Sequence, residues 1–265
     1  MELTNETIEH NGITLYRVKY QDGTIGGFVE FLYNIEGNAK VCGNAMVYGN
    51  ARVCGNAMVC GNARVDGNAR VYGDAKVYGD AKVYDNAKVY GDAKVYGDAK
   101  VCGNAMVYGH TMVYGDAMVC GDAMVYGNAW CYDGAMVCER AMVDGDARVY
   151  GDAKVYDNAK VYGNAMVDGD ARVYGTARVY GTARVYGHAK VYGDAMVNKI
   201  CVNLTGSYYL VTFTDTHMII GCQCKTLEQW DTLDSSNPYY KEWEPHKQML
   251  ISLYQHLLEK HNVGV

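Results

Sequence analysis

The sequence predicts a mainly β protein: a parallel β-helix of three hexapeptides per coil and about nine coils, followed by a small α+β C-terminal module. Three observations carry that reading. Valine recurs at every sixth position from Val41 to Val197, broken only by Cys131, and alanine stands two residues before it from Ala39 to Ala195, broken only by Thr111. Between these pairs lies a turn, mostly Gly-Asp or Gly-Asn. The chain therefore holds 27 consecutive hexapeptides of the type GDAKVY with no insertion or deletion.

Apolar residues two apart share one face of a strand, so Ala and Val point inward, and the residues on either side of Val point out. The outward columns hold Tyr, Cys or Asp after the valine and Lys, Arg or Met before it. Three such strands close an 18-residue triangular coil, and coils stacked through parallel ladders at ~4.8 Å give a rod roughly 43 Å long. The small interior of a three-sided prism is filled at normal density by Ala and Val.

Each corner calls for one residue at positive φ, the conformation that Gly and Asn tolerate best. Glycine is replaced at four corners, and at three of them Asn or Gly follows: Asp85-Asn86, Asp133-Gly134 and Asp157-Asn158. Glu139-Arg140 offers neither, and local distortion is expected there.

The pattern Val41 to Ala45, Val47 to Ala51 and onward to residue 197 resembles the hexapeptide-repeat proteins that form left-handed parallel β-helices. Left-handedness is what the resemblance implies, since ordinary parallel crossovers are right-handed. Leu15-Tyr16-Arg17 and Gly26-Gly27-Phe28-Val29-Glu30, ahead of the repeats, look like the opening of uncharacterised bacterial and prophage proteins with GNAxVYG repeats. Many relatives with the left-handed fold are acyltransferases or trimeric zinc enzymes whose sites use histidines and loops at subunit clefts. Here His110 and His188 replace corner residues, and no loop interrupts the repeats.

Composition agrees with a β rod: 265 residues, two prolines, three phenylalanines, 25 tyrosines and a net charge of -6. Residues 1–34 read as an N-terminal cap, 35–198 as the β-helix and 199–265 as an α+β capping and oligomerisation module, because a stacked rod needs covered ends. No apolar stretch is long enough to span a bilayer, so the expected location is the cytoplasm, with no membrane partner and no strong nucleic-acid signal.

Six of the ten cysteines take the outward position after the valine: Cys42, Cys54, Cys60, Cys102, Cys120 and Cys138. Residues 18 apart lie above one another, so Cys102, Cys120 and Cys138 share one column and Cys42 and Cys60 share another. Directly stacked side chains are poorly aimed for a disulfide, and reduced thiols are the expectation. A thiolate metal ladder lacks a second ligand type and a tetrahedral layout.

Of the 26 outward positions from 42 to 192, 17 are Tyr, six Cys and three Asp, which sets tyrosine columns beside columns of Lys and Arg. Such walls could stack sugar or planar rings while cations hold anionic groups, or the tyrosines could simply be good strand residues. The cationic columns are interrupted at Met106, Met112, Met118, Met124, Trp130, Met136 and Met142, an apolar belt near the irregular corner Glu139-Arg140. An exposed belt bounded by charge suggests a contact with another copy or a partner. Arrays expanded by duplication also drift among Lys, Arg and Met at solvent-facing positions.

In the tail, Ile200 to Leu204, Tyr208 to Thr214 and Met218 to Cys222 read as strands, with turns at Thr205-Gly206-Ser207 and Thr214-Asp215. Thr226-Leu227-Glu228-Gln229 is a capping-box start for a helix to about Leu233, and a last helix from near Pro245 puts Met249, Leu250, Leu253, Tyr254, Leu257 and Leu258 on one face. Leu250, Leu253 and Leu257 are the candidate contacts between copies, the helices being expected to bury the open end of the rod. A zinc site of Cys222, Cys224, His217 and His246 has unconvincing spacing. The tail resembles a module found on prophage-type proteins.

The leading function is a non-catalytic oligomeric scaffold or binding protein, phage- or prophage-derived, that holds a partner protein or a small anionic ligand and uses no cofactor. A homo-oligomer is expected, a trimer before a dimer. A hexapeptide-type acyltransferase with its site at a subunit cleft is the alternative, and a sugar-binding rod the third reading.

Overall fold

The computed structural model describes residues 1–204, 210–233, 236 and 240–261, the side chains of 241 and 242 excepted. Strands β1 (Glu2–His10), β2 (Ile13–Lys19) and β3 (Ile25–Val29) form an antiparallel meander. Twenty-seven two-residue strands follow, from β4 (Lys40–Val41) to β30 (Met196–Val197), one per hexapeptide. They stack into three parallel walls, making a β-solenoid of about nine turns. The side chains of Ala and Val line the tube: every repeat valine is 0 % exposed, as are Cys131 and Thr111 where they stand in.

The first wall extends through the meander. β3 pairs in parallel with the strand Met46–Val47, so Val29 sits one coil before Val47, and Ile35 bridges to Val53 in the same way. Gly27 takes the place of a repeat alanine because no side chain fits there: an added Cβ would lie 2.6 Å from the Ala45 carbonyl oxygen. At the rod's start the Tyr20 hydroxyl takes a hydrogen bond from the Val41 amide (2.6 Å) and donates to its carbonyl (3.1 Å). The open ladder is thereby capped by a side chain.

The corners depart from expectation in one respect. At the four glycine-free corners the positive φ stays on the first residue, at Asp85 (62°), Asp133 (57°), Glu139 (59°) and Asp157 (60°), and does not pass to the Asn or Gly that follows. Nor is Glu139-Arg140 distorted. The Arg140 amide donates to the Asp157 carbonyl at 2.9 Å, and Met142–Val143 keeps its register with Lys160–Val161. Ladder bonds on both sides over-determine the corner and hold Glu139 in a conformation it resists in isolation.

Beyond the rod lie β31 (Cys201–Leu204), β32 (Val211–Thr214), β33 (Met218–Ile220) and β34 (Gln223–Lys225), one antiparallel sheet. Helices α1 (Leu227–Asp231), α2 (Tyr240–Trp243) and α3 (Lys247–Lys260) complete the chain, with Pro245 in a 3-10 turn before α3. The Thr226 hydroxyl caps α1 by accepting from the Gln229 amide, as its sequence indicates. The expected turn at 205–207 and the start of the strand at Tyr208 fall outside the described residues.

The rod's far end is closed by the sheet rather than by the helices. Asp215, in the turn between β32 and β33, accepts with its carboxylate from the amides of Asn198, Lys199 (3.0 Å) and Ile200 (3.3 Å), while its own amide donates to Met196. Cys201 and Ile219 join the solenoid core, and the helices pack on the sheet's other side around Phe213, Trp230 and Trp243. Hairpin turns can offer several donors and acceptors to a ladder end, whereas a helix flank offers few. No helix among the described residues is long and apolar enough to cross a membrane.

Candidate binding surface

The walls are columns of like side chains on a register of 18 residues. Tyr78, Tyr96, Tyr114, Tyr132 and Tyr150 form a five-ring stack with centroids 4.9 to 5.0 Å apart and planes within 3° of parallel. Tyr72, Tyr90, Tyr108 and Tyr126 repeat the arrangement on another edge, and Tyr156, Tyr174 and Tyr192 on the third. Each interior ring thus spends both faces on its neighbours. A ligand at these columns meets ring edges and hydroxyls, so the idea that wall tyrosines receive sugar or planar rings on their faces does not suit this geometry.

Two tyrosines donate to the aspartate one coil further on. Tyr48 donates to Asp66 (2.9 Å) and Tyr150 to Asp168 (2.6 Å). Partial burial, and then the Asp66 bond, push the Tyr48 phenol up to about 12, while for Tyr150 the Asp168 bond comes first and carries it to about 12.

The apolar belt is distributed over all three walls. Met118 pairs with Met136 on one, Met112 with Trp130 on the second, and Met106, Met124 and Met142 run in line on the third. All seven side chains are half-buried by the columns beside them, so the belt is recessed and not fully exposed. The Arg148 guanidinium lies over the Trp130 ring, 5.1 Å from its centre, and closes the belt on that wall. At the neighbouring corner the Glu139 carboxylate accepts from the Asp157 amide (3.0 Å), and Arg140 is exposed.

Leu250 is buried inside the tail module, and Leu253 and Leu257 pack against the same cluster with Tyr254 and Leu258. Their placement is within one chain. Met249, expected on that apolar face, is instead 61 % exposed.

The sequence does not signal the groove on the first wall, an open depression of about 940 Å³ beneath the β1–β2 hairpin. Its end is built by Glu6, Arg17 and Phe28, its floor by Arg64, Lys82 and Lys100, and its rim by Asp80, Asp98 and Asp116. Arg17 is fixed there by Glu6 (2.7 Å), by the Gly26 carbonyl (3.0 Å) and by the Phe28 ring 4.2 Å away. The signal available was the leader Arg17 and Gly26-Gly27-Phe28, whose residues prove to interlock.

His110 and His188 sit on corners, 72 % and 75 % exposed, each beside one carboxylate, Asp92 (3.3 Å) and Asp170 (3.2 Å). No walls enclose them, which is poor geometry for general-base work. Of the proposed zinc ligands, His217 pairs with Asp194 (3.1 Å) and the Cys224 thiol donates to the Tyr192 carbonyl (3.2 Å). Among the described residues no group of three or more His, Cys, Asp or Glu side chains could hold a metal ion.

The thiols hold one departure from expectation. Cys42 and Cys60 are joined by a disulfide, with Cα atoms 4.6 Å apart. Stacking on adjacent rungs already brings the backbones within bonding range, which outweighs the parallel aim of the side chains.

Fold and walls together define a β-solenoid repeat protein. The family model of the YdcK beta solenoid repeat matches residues 39–55, 51–67 and 159–175. A comparison with curated proteins finds no match. Among solved structures, a putative acetyltransferase from Bacillus cereus is similar at 11% identity and a TM-score of 0.22, over 74% of this chain and 91% of that one. So distant a likeness carries no functional argument.

Proposed function

We propose that the protein is a non-catalytic, oligomeric scaffold whose walls hold an anionic partner, either an acidic protein segment or a phosphorylated small molecule. The supporting observation is the set of cation columns. Arg64, Lys82 and Lys100 stand in register on one wall, as do Lys154, Arg172 and Lys190 further along it. Among the described residues none of the six has a carboxylate in ion-pair range, in contrast to Lys40 and Arg52. Like charges stacked one rung apart repel, and an anion laid along the column relieves that repulsion while a neutral ligand does not.

Assembly is proposed through the Met and Trp belt, with a trimer favoured over a dimer by analogy with the fold. The leader and tail favour a phage or prophage origin, and the cytoplasm is the proposed location. The test is calorimetric titration with inorganic tripolyphosphate at low and moderate salt, on the native chain and on an R64Q/K82Q/K100Q variant. Binding that weakens at least tenfold in the variant, and falls with salt, supports the reading. Equal binding by both proteins, or none by either, overturns it. Acetyl transfer lost on changing His110 or His188 would put the acyltransferase alternative in its place.

A further inference from the structure

Cys102, Cys120 and Cys138 occupy three successive rungs of one edge, half-buried and reachable from solvent. The Cys102 amide donates to Val119 at 3.0 Å and the Cys120 amide to Val137 at 2.9 Å. The bonded pair has the same rung: the Cys42 amide donates to Val59 at 2.8 Å, and Cys60 lies one coil below. The column thus repeats, twice over, the backbone relationship that carries a disulfide elsewhere in the rod. Cys54, by contrast, has Tyr72 as its next neighbour in the column and no thiol within a rung.

We propose that this column is a thiol–disulfide exchange site for low-molecular-weight disulfides of the glutathione type, with Cys138 as the attacking thiol and Cys120 as the resolving one. The Cys138 thiolate attacks one sulfur of the small disulfide, forming a mixed disulfide and expelling one thiolate. Cys120, deprotonating to solvent, then attacks the Cys138 sulfur and expels the second. Two protein thiols are oxidised, and one small disulfide is reduced to two thiols.

Cys120 is the middle thiol, one rung from each of the other two, so a bridge between adjacent rungs of the column includes it. The interaction with Cys120 holds the Cys138 thiol below the usual range, with Lys154 assisting and burial, Glu139 and Asp157 opposing. The same interaction with Cys138, and then burial, push Cys120 well up, so it stays protonated until Cys138 has reacted. Cys102 stands on the other side of Cys120 and can take over the bridge by attacking the Cys120 sulfur, releasing Cys138.

The full chain is reduced, treated with glutathione disulfide, alkylated and cleaved before aspartate. That cleavage separates Cys102 (98–115), Cys120 (116–121), Cys131 (122–132) and Cys138 (133–143). The expected product is 116–121 linked to 133–143, with a minor link to 98–115. In Cys120→Ser both links vanish, and glutathione remains on Cys138. Full alkylation of all three cysteines in the native chain, or a link running between two chains, overturns the proposal. Should Cys120→Ser fail to fold, as read from its far-ultraviolet spectrum, the native map decides alone.

Discussion

The hydroxyl of Tyr150 donates to Oδ2 of Asp168 across one coil at 2.6 Å, where the five-ring stack stops. Ionising that phenol breaks the bond and sets two negative charges side by side. Its pKa is therefore raised from 10.0 to about 12, so the bond stabilises the fold below pH 10 and is lost as pH rises through 12. In Asp168→Asn one tyrosine should titrate nearer 10 by ultraviolet absorbance, with a smaller shift in the same direction at Tyr132, which also feels the Asp168 charge.

Thr111 stands where an alanine is the rule, wholly buried, and its hydroxyl finds no partner. Thr111→Ala removes that unsatisfied group and restores the repeat. The variant should gain about 1 kcal/mol in urea unfolding, the lower end of the cost of an unpaired buried hydroxyl.

Gly121 and Glu139 lie one above the other in a corner column, both at positive φ. A Cβ on Gly121 would meet the Glu139 amide nitrogen at 2.8 Å, backbone that cannot move aside. Gly121→Ala should cost about 2 kcal/mol or more, from strain added to the left-handed conformation. Glu139→Gly relieves that conformation at the loss of one exposed hydrogen bond, and should be neutral or stabilising by up to about 1 kcal/mol.

At the far end the His217 imidazole is buried against Asp194. Burial lowers its pKa below 6.5, and the Asp194 carboxylate opposes this only in part. The unfolded chain then binds the proton more readily, so stability is full above pH 6.5 and declines as pH falls through the folded value. His217→Gln should flatten that decline in unfolding midpoints measured between pH 7 and 5.

The period of Ala and Val made the tube legible, because burial of small side chains two apart leaves little freedom in how a hexapeptide can close. The outward sense of Tyr, Lys and Met followed from the same alternation. What the period could not convey is contact between coils at the surface: that the rings of Tyr96 and Tyr114 consume each other's faces, or that Cys42 bonds Cys60. Glu139 misled because corner preference is local, while the ladder around it is not. Asp215 and Arg17 were silent for another reason: a lone polar residue shows its role only once the distant amides and carbonyls it serves have been brought to it.

The central claim, that a packed aliphatic lining supports walls free to vary, is tested most directly by comparing two adjacent changes, Val113→Asp and Tyr114→Asp, in chemical denaturation. Val113 is wholly buried, whereas Tyr114 lies in a column that already accepts aspartate at Asp168. Val113→Asp should lose the cooperative fold, since an unpaired carboxylate in that lining costs several kcal/mol, and Tyr114→Asp should stay within about 1 kcal/mol of the native chain. Equal stability of the two variants, or the reverse order, would contradict the account.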